Sequence, residues 1–501
     1  MLNTICRDQT PQTKSHRILF VTSEYSGLIK AGGLGDVSAA LPQALLAKHD
    51  VRILIPGYSQ VVNSSHLITI VDTLDAYANL PACKIGRLQI NGKGPVIYVV
   101  ICPELYEREG TAYADCNGND WADNPVRFAR LSFAAAEIAK GRTAMRWCPD
   151  LVHANDWPTA LTPAYMSWQG QTTPNIFTIH NLAHQGLCEP QLAAALGFPP
   201  EAFSIDSMEF YGKLSFLKAG IVYANHITTV SASYAQEITT PAFGCGLEGL
   251  LSIKFSQGRL SGIVNGIDES WEPKSDPHLI KGFGAREWDS KKINTRHVEN
   301  IFNLAANAQP LFAVVSRLVH QKGVDLTINI ADSIVKSGGR LVVMGRGESE
   351  FETRMLQLAK HHPRQIGVTI GFDEITARRI FAGSDFLLMP SRFEPCGLSQ
   401  LYAQRCASLP IARRTGGLAD TIEDGLSGFL FRDANVESYR SAVDRALQVF
   451  KRPQLLNAMR CRAMATPLYW HQSVQPYADL YHRICRWTSG LNLMSPTQVR
   501  V

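Results

Sequence analysis

A chain of 501 residues exceeds what one hydrophobic core usually serves, so two domains are expected. The mix of 45% hydrophobic and 19% charged residues is that of an ordinary globular protein. The formal charge of +5 comes without a long basic run or aromatic interleaving, which excludes a nucleic-acid binder. No apolar stretch reaches the roughly 18 residues of a membrane span.

The first 16 residues are polar and read as a loose extension without the apolar core of a signal peptide. Arg17-Ile18-Leu19-Phe20-Val21-Thr22 is a short, continuously apolar strand. A glycine loop follows, then helix over Val37–Ala47, then a strand over Val51–Pro56. This is the opening of a parallel sheet covered by helices. Further strands are expected around residues 88–100, at Asp150–His153, at Asn175–His180 and ending at Thr228–Ser231, with a helix over Val126–Lys140. The pattern restarts after residue 310: strand Leu311–Val315, helix Val324–Val335, strand Arg340–Gly345, strand Val368–Ile370, strand Phe386–Pro390 and helix Leu398–Arg405. Repeated strand–helix alternation implies βαβ units, hence an α/β fold of two Rossmann-like, doubly wound domains. The Asn265-Gly266 step suits a tight turn and a boundary. The expected division is an extension over 1–16, a first domain over 17–264, a second over 265–455, C-terminal helices over 456–487 packing back on the first domain, and a polar tail over 488–501.

Cysteine usage bears on compartment. Eleven dispersed cysteines, with no C-x-x-C pair, indicate reduced thiols and a cytoplasmic location.

Four segments carry candidate chemistry. Lys30-Ala31-Gly32-Gly33-Leu34-Gly35-Asp36 lies between a strand and a helix, where glycines admit a ligand to backbone amides. It matches neither G-x-G-x-x-G nor a P-loop, so taken alone it is a glycine turn or a ligand loop. Arg317 and Lys322 follow the first strand of the second half, where ligands of open α/β sheets bind. They suit a diphosphate, or are plain surface charge. Glu394 sits between Phe393 and Pro395 just after a strand, ahead of Cys396-Gly397-Leu398. It is a positioned acid, or a local cap or salt bridge. In the first half, Asp156 and His180 stand at strand ends. No His/Cys/Asp/Glu spacing resembles a zinc site, and no nucleophile elbow is present.

Together these motifs resemble bacterial glycogen synthases, close kin of plant starch synthases. The same family is matched by Tyr211-Gly212-Lys213 with Phe216-Leu217-Lys218-Ala219-Gly220, by Gly244-Cys245-Gly246-Leu247-Glu248-Gly249, by Asn265-Gly266-Ile267-Asp268 and by the loop Arg414–Asp420. The resemblance runs from about residue 17 to 485. It implies a GT-B arrangement with the nucleotide sugar in the cleft, the first domain on the acceptor side and the second binding the nucleotide sugar. It implies a retaining transfer of glucose from ADP-glucose to the non-reducing end of an α-1,4-glucan, with no metal, no cofactor, and no nucleic-acid or membrane partner.

By the same resemblance, Lys30 and the amides of Gly32 and Gly33 would bind donor phosphate and sugar, and Asp36 would organise the sugar pocket. Arg317 and Lys322 would neutralise the departing diphosphate, and Glu394 would steady positive charge at C1. Asp156 and His180 would line the sugar side. Asn265, Gly345, Phe372, Cys396, Gly397, Leu398, Thr415 and Gly416 would complete donor binding, Phe372 near the base. The chain departs from the family at Ala31, usually Thr, at Pro158, usually His, and at Phe372, often Tyr. Kept beside this reading are a related retaining transferase using UDP-glucose or another acceptor, and a glucan-binding paralogue without activity.

Overall fold

The structure is a computed structural model that describes residues 15–88, 90, 94–141, 144–467 and 469–491. The chain forms two compact units. One comprises residues up to Thr228 together with those from Val474 onward; the other runs from Thr229 to Ser473.

In the first unit, strands lie in the order His226–Thr229, Asn175–Ile179, Leu151–Asn155, Arg17–Val21, Asp50–Pro56, Val96–Ile101, Cys83–Leu88, Ile68–Leu74. Arg17–Val21 pairs in parallel with both Asp50–Pro56 and Leu151–Asn155, and the latter pairs in parallel with Asn175–Ile179. The last two strands of the order are antiparallel additions. Ile18 to Val21 are wholly inaccessible, as both faces of a parallel sheet are covered. Parallel pairing directs the ends of the central strands, and so Glu24, Asp156 and His180, to one edge of the sheet.

The second unit holds a six-stranded sheet ordered Ile366–Ile370, Arg340–Gly345, Leu311–Val315, Phe386–Met389, Leu409–Arg413, Phe429–Phe431. Every pairing in it is parallel. Alternate residues of one strand serve two separate cores: Phe312 and Val314 belong to one cluster, Leu311, Ala313 and Val315 to the other. This period of two, with both faces buried, is why the strand reads as an unbroken apolar run.

The units divide at Thr228/Thr229 and at Ser473/Val474, not at 264/265 and 455/456 as the sequence suggests. Residues from Thr229 onward are tied into the second unit: the Ser231 hydroxyl donates to the Pro395 carbonyl (2.6 Å), and the Ser233 amide to Asp420 (2.9 Å). Helix Pro453–Ala465 belongs there too, through the buried ion pair of Arg460 with Asp385. Helix Gln475–Leu491 belongs to the first unit, where Tyr481 meets His153 Nδ1 at 2.7 Å.

The expected extension and tail also need correction. His16 is buried and its Nε2 lies 3.0 Å from His482 Nδ1, so it is part of the folded unit and not of a loose extension. The last helix runs to Leu491. The rest of those two segments, 1–14 and 492–501, lies outside the described residues.

Candidate active site

At the ends of strands Leu151–Asn155 and Asn175–Ile179 in the first unit, the polar groups are buried and hydrogen-bonded rather than ion-paired. Asp156 follows strand Leu151–Asn155 with φ +61°, a conformation that a non-glycine residue holds only when its surroundings enforce it. Its amide donates to the Thr178 carbonyl (2.8 Å), and its Oδ1 accepts the amides of His180 (3.2 Å) and Asn181 (3.4 Å). Burial pushes its carboxyl up to about 7, against the pull of those amides and with some help from nearby Glu24.

His180 ends strand Asn175–Ile179, and burial pushes its imidazole down to about 3, so it is neutral at pH 7. Its Nε2 lies 3.1 Å from Asn155 Oδ1. A carboxamide oxygen only accepts, so Nε2 carries the proton and Nδ1 remains an acceptor. His153, one strand in, is likewise held down to about 3 by burial, between Thr178 and Tyr481.

The glycine loop is organised by an acid that sequence reasoning missed. Glu24 is buried; its Oε2 accepts the amides of Ala31 (2.7 Å) and Gly32 (2.9 Å), and its Oε1 accepts the Tyr113 hydroxyl (2.7 Å). The expected free Gly32 amide is therefore taken by a carboxylate from the same unit. Lys30 Nζ pairs with Asp36 Oδ1 at 2.7 Å, so these two expected site residues meet each other. Helix Gly33–Leu45 starts at the loop, with no side-chain cap on Gly32. The one available signal for Glu24 was its place directly after an apolar strand, two residues past Thr22.

In the second unit the expected residues gather at the carboxyl ends of four neighbouring strands. Arg317 and Lys322 follow Leu311–Val315, Gly345 ends Arg340–Gly345, Phe372 follows Ile366–Ile370, and Glu394 follows Phe386–Met389. Lys322 Nζ lies 2.5 Å from Glu394 Oε2, which also accepts the Ser391 hydroxyl at 3.0 Å. The Glu394 side chain is only 7% exposed, whereas Arg317 is exposed and donates to Gln321 (3.2 Å). Gly323 has φ +68°, and a Cβ there would meet the Pro390 carbonyl oxygen at 2.1 Å, so glycine permits the loop carrying Lys322 to lie against the Glu394 strand.

Phe372 is 66% exposed, an open aromatic face. Cys396 is buried, its thiol pushed up to about 12 chiefly by burial, with Asn265 hydrogen-bonded to it. Gly397 and Leu398 lead into helix Ser399–Arg405, one residue later than the start expected at Leu398. Thr415 and Gly416, expected at the donor, are held by the protein's own Glu237. Both are buried, and the Thr415 hydroxyl and Gly416 amide each donate to Glu237 Oε1 at 3.0 Å. They are thus engaged by the protein itself, and Glu237 is a second residue that sequence reasoning missed.

Among the described residues, no group of three or more His, Cys, Asp or Glu is placed to hold a metal ion, and no helix is long and apolar enough to cross a membrane. Two α/β units, the second with a cation–carboxylate pair at its strand ends, are the fold of a GT-B glycosyltransferase, the class to which the following similarities assign the chain. Residues 17–253 match the starch synthase catalytic domain family, and residues 298–460 the glycosyl transferases group 1 family. The chain is 62% identical over 475 residues to a glycogen synthase of Pseudomonas syringae pv. syringae (strain B728a), covering 95% of this chain and 98% of that one. It is 61% identical over 481 residues to a glycogen synthase of Pseudomonas aeruginosa, covering 96% and 94%. The catalytic domain of starch synthase IV from Arabidopsis thaliana, solved bound to ADP and acarbose, superposes with a TM-score of 0.83 at 29% identity, covering 94% of this chain and all (100%) of that one. The chain belongs to the glycogen synthase family.

Proposed function

We propose that this chain elongates an α-1,4-glucan by transferring glucose from ADP-glucose to its non-reducing end, with retention at C1. The observation that carries this reading is the Lys322–Glu394 pair at the strand ends of the second unit, with Arg317 exposed beside the same loop. As the bond from C1 to the diphosphate breaks and the bond from C1 to the acceptor oxygen forms, C1 gains positive and the diphosphate negative charge, and the acceptor hydroxyl's proton passes to the departing diphosphate. Glu394 faces the first and Lys322 the second, with Arg317 adding a fork of donors for phosphate oxygens. Groups fixed in advance act more strongly on charge that develops than on charge already present. These side chains, without a cofactor or metal, carry the electrostatic part of the transfer.

Other roles follow by residue. Phe372 offers its open face to the adenine, and Gly345, Asn265, Cys396, Gly397 and Leu398 shape the nucleotide-sugar pocket. Neutral His180, Asp156 and the Lys30–Asp36 pair suit sugar hydroxyls, and Gly33 lets the glycine loop approach them. Support for ADP as the nucleotide and a glucan as the acceptor comes from the Arabidopsis neighbour's ADP and acarbose. Eleven dispersed cysteines with no C-x-x-C pair suit a cytoplasmic enzyme.

The test is a donor comparison with glycogen as acceptor. ADP-glucose should be turned over with release of ADP and glucan growth, at least about tenfold faster than UDP-glucose. A preference for UDP-glucose would point to a different nucleotide. Binding of glycogen without ADP release would leave only a glucan binder.

A further inference from the structure

We propose that Glu237 is a positioning residue for the transfer, acting on Glu394 through the Thr415–Gly417 turn. This rests on the role proposed for Glu394. Glu237 is the last residue of helix Ala232–Glu237 and lies in the second unit with the turn it holds. Its Oε1 accepts two hydrogen bonds at 3.0 Å, from the Thr415 hydroxyl and the Gly416 amide.

Thr415 occupies the N-cap of helix Gly416–Thr421, where a threonine hydroxyl ordinarily caps its own helix. Here it makes no such cap, and its hydroxyl donates to Glu237. The turn presses directly on the Glu394 backbone. Gly416 has φ +43°, and a Cβ on it would lie 2.0 Å from the Glu394 carbonyl oxygen. Gly417 donates its amide to that same oxygen (3.1 Å) and to the Pro395 carbonyl (3.2 Å). On the far side, Ser231, which opens the helix carrying Glu237, donates to the Pro395 carbonyl at 2.6 Å. One short helix thus grips the Glu394-Pro395 backbone directly and through the turn.

The choice of an acid is informative. Glu237 Oε2 is buried and, among the described residues, has no hydrogen-bond partner. Burial raises the carboxyl, opposed by the Gly416 and Thr415 bonds and by Arg413, and aided by Asp420. An acid kept under such desolvation is a costly way to fix a turn, so the accuracy of the turn is what it supplies. Misplacing a reacting group by about 1 Å costs on the order of 100-fold in rate.

The experiment compares Glu237→Ala and Glu237→Gln in the full chain, by steady-state kinetics with ADP-glucose and glycogen, ADP calorimetry and thermal melts. Gln keeps a carbonyl oxygen for the Thr415 and Gly416 bonds. The expected result is a kcat loss of about 10- to 100-fold for Ala, with the KM for ADP-glucose and the ADP affinity within about threefold of the parent, and recovery by Gln to within about threefold. Should the Ala variant fail to fold, Thr415→Val removes one of the two bonds and is expected to lower kcat by several-fold with ADP affinity kept. Parent-like kcat in folded Ala or Thr415→Val variants overturns the proposal. So does a Gln variant as impaired as Ala, or a loss confined to KM and ADP affinity. A parent chain that releases no ADP with glycogen would overturn the transferase reading itself, a result separate from these.

Discussion

The two units solve the same problem, polar groups at parallel strand ends, by opposite electrostatics. At the first unit's strand ends burial disfavours charge, holding His180 down to about 3 and raising Asp156 to about 7, while the Lys30–Asp36 ion pair stays on the glycine loop. In the second, Lys322 and Glu394 face each other as cation and anion, 2.5 Å apart. Neutral donors and acceptors suit hydroxyl-rich sugars, and paired ions suit a reaction that separates charge. The difference teaches that one sheet architecture sets where a group stands, while desolvation against pairing sets what the group can do.

The largest effect should come from removing the anion of the ionic pair. Glu394→Gln keeps size and most hydrogen bonds, so the fold and ADP affinity should survive while kcat falls by at least about 1000-fold, near 4 kcal/mol. Kinetics read beside a melt and an ADP titration check this, and near-normal turnover would return Glu394 to a structural role. Lys322→Ala should follow, with a loss of roughly 30- to 1000-fold in kcat from about 2–4 kcal/mol of lost stabilisation of the leaving group. An unchanged kcat with only a raised KM would make Lys322 a binder of the ground state.

The smallest effect is on stability and tests the neutral side of the comparison. His153 and His180 sit near 3 when folded, well below the ordinary value near 6.5. As pH falls below about 6.5 the unfolded chain takes up protons that these buried rings refuse, so stability is lost. Asp156 works the other way. It is folded with a value of about 7, above an unfolded value near 3.9, so acidification from 7 toward 4 returns stability. Asp156→Asn keeps a side chain that tolerates positive φ but removes that return. Its unfolding free energy, from denaturant titrations at each pH, should therefore drop more steeply than the parent's between pH 6.5 and 4.5, by about 1.4 kcal/mol per pH unit. Equal slopes would mean Asp156 is ionised in the folded chain.

Much of this was legible because local patterns carry it. Leu311–Val315 reads as a strand since all its side chains face core, and Arg317, Lys322 and Glu394 follow strands that the pattern locates. What was hidden depends on contacts distant in sequence. Glu237 lies in an unremarkable helix, 178 residues from the Thr415 hydroxyl it accepts. His16 looked like part of a polar extension, yet its partner His482 is 466 residues away. The Asn265-Gly266 step reads as a turn in the sequence, yet the backbone makes none there, and the division between units is set earlier by bonds such as Ser233 to Asp420, 187 residues apart. A turn signal is short-range, while membership of a core is not.

The helix Gln475–Leu491 has a consequence for synthesis. Tyr477 and Tyr481 are wholly or almost wholly inaccessible, and Tyr481 meets His153 in the first unit. The intervening residues from Thr229 to Ser473 form the other unit. On a ribosome, which releases chain from the N-terminus onward, the second unit has all its parts before the first does. The unit begun earlier is therefore the one finished later, with the apolar surface that Tyr477 and Tyr481 cover left open to chaperones until helix Gln475–Leu491 has emerged.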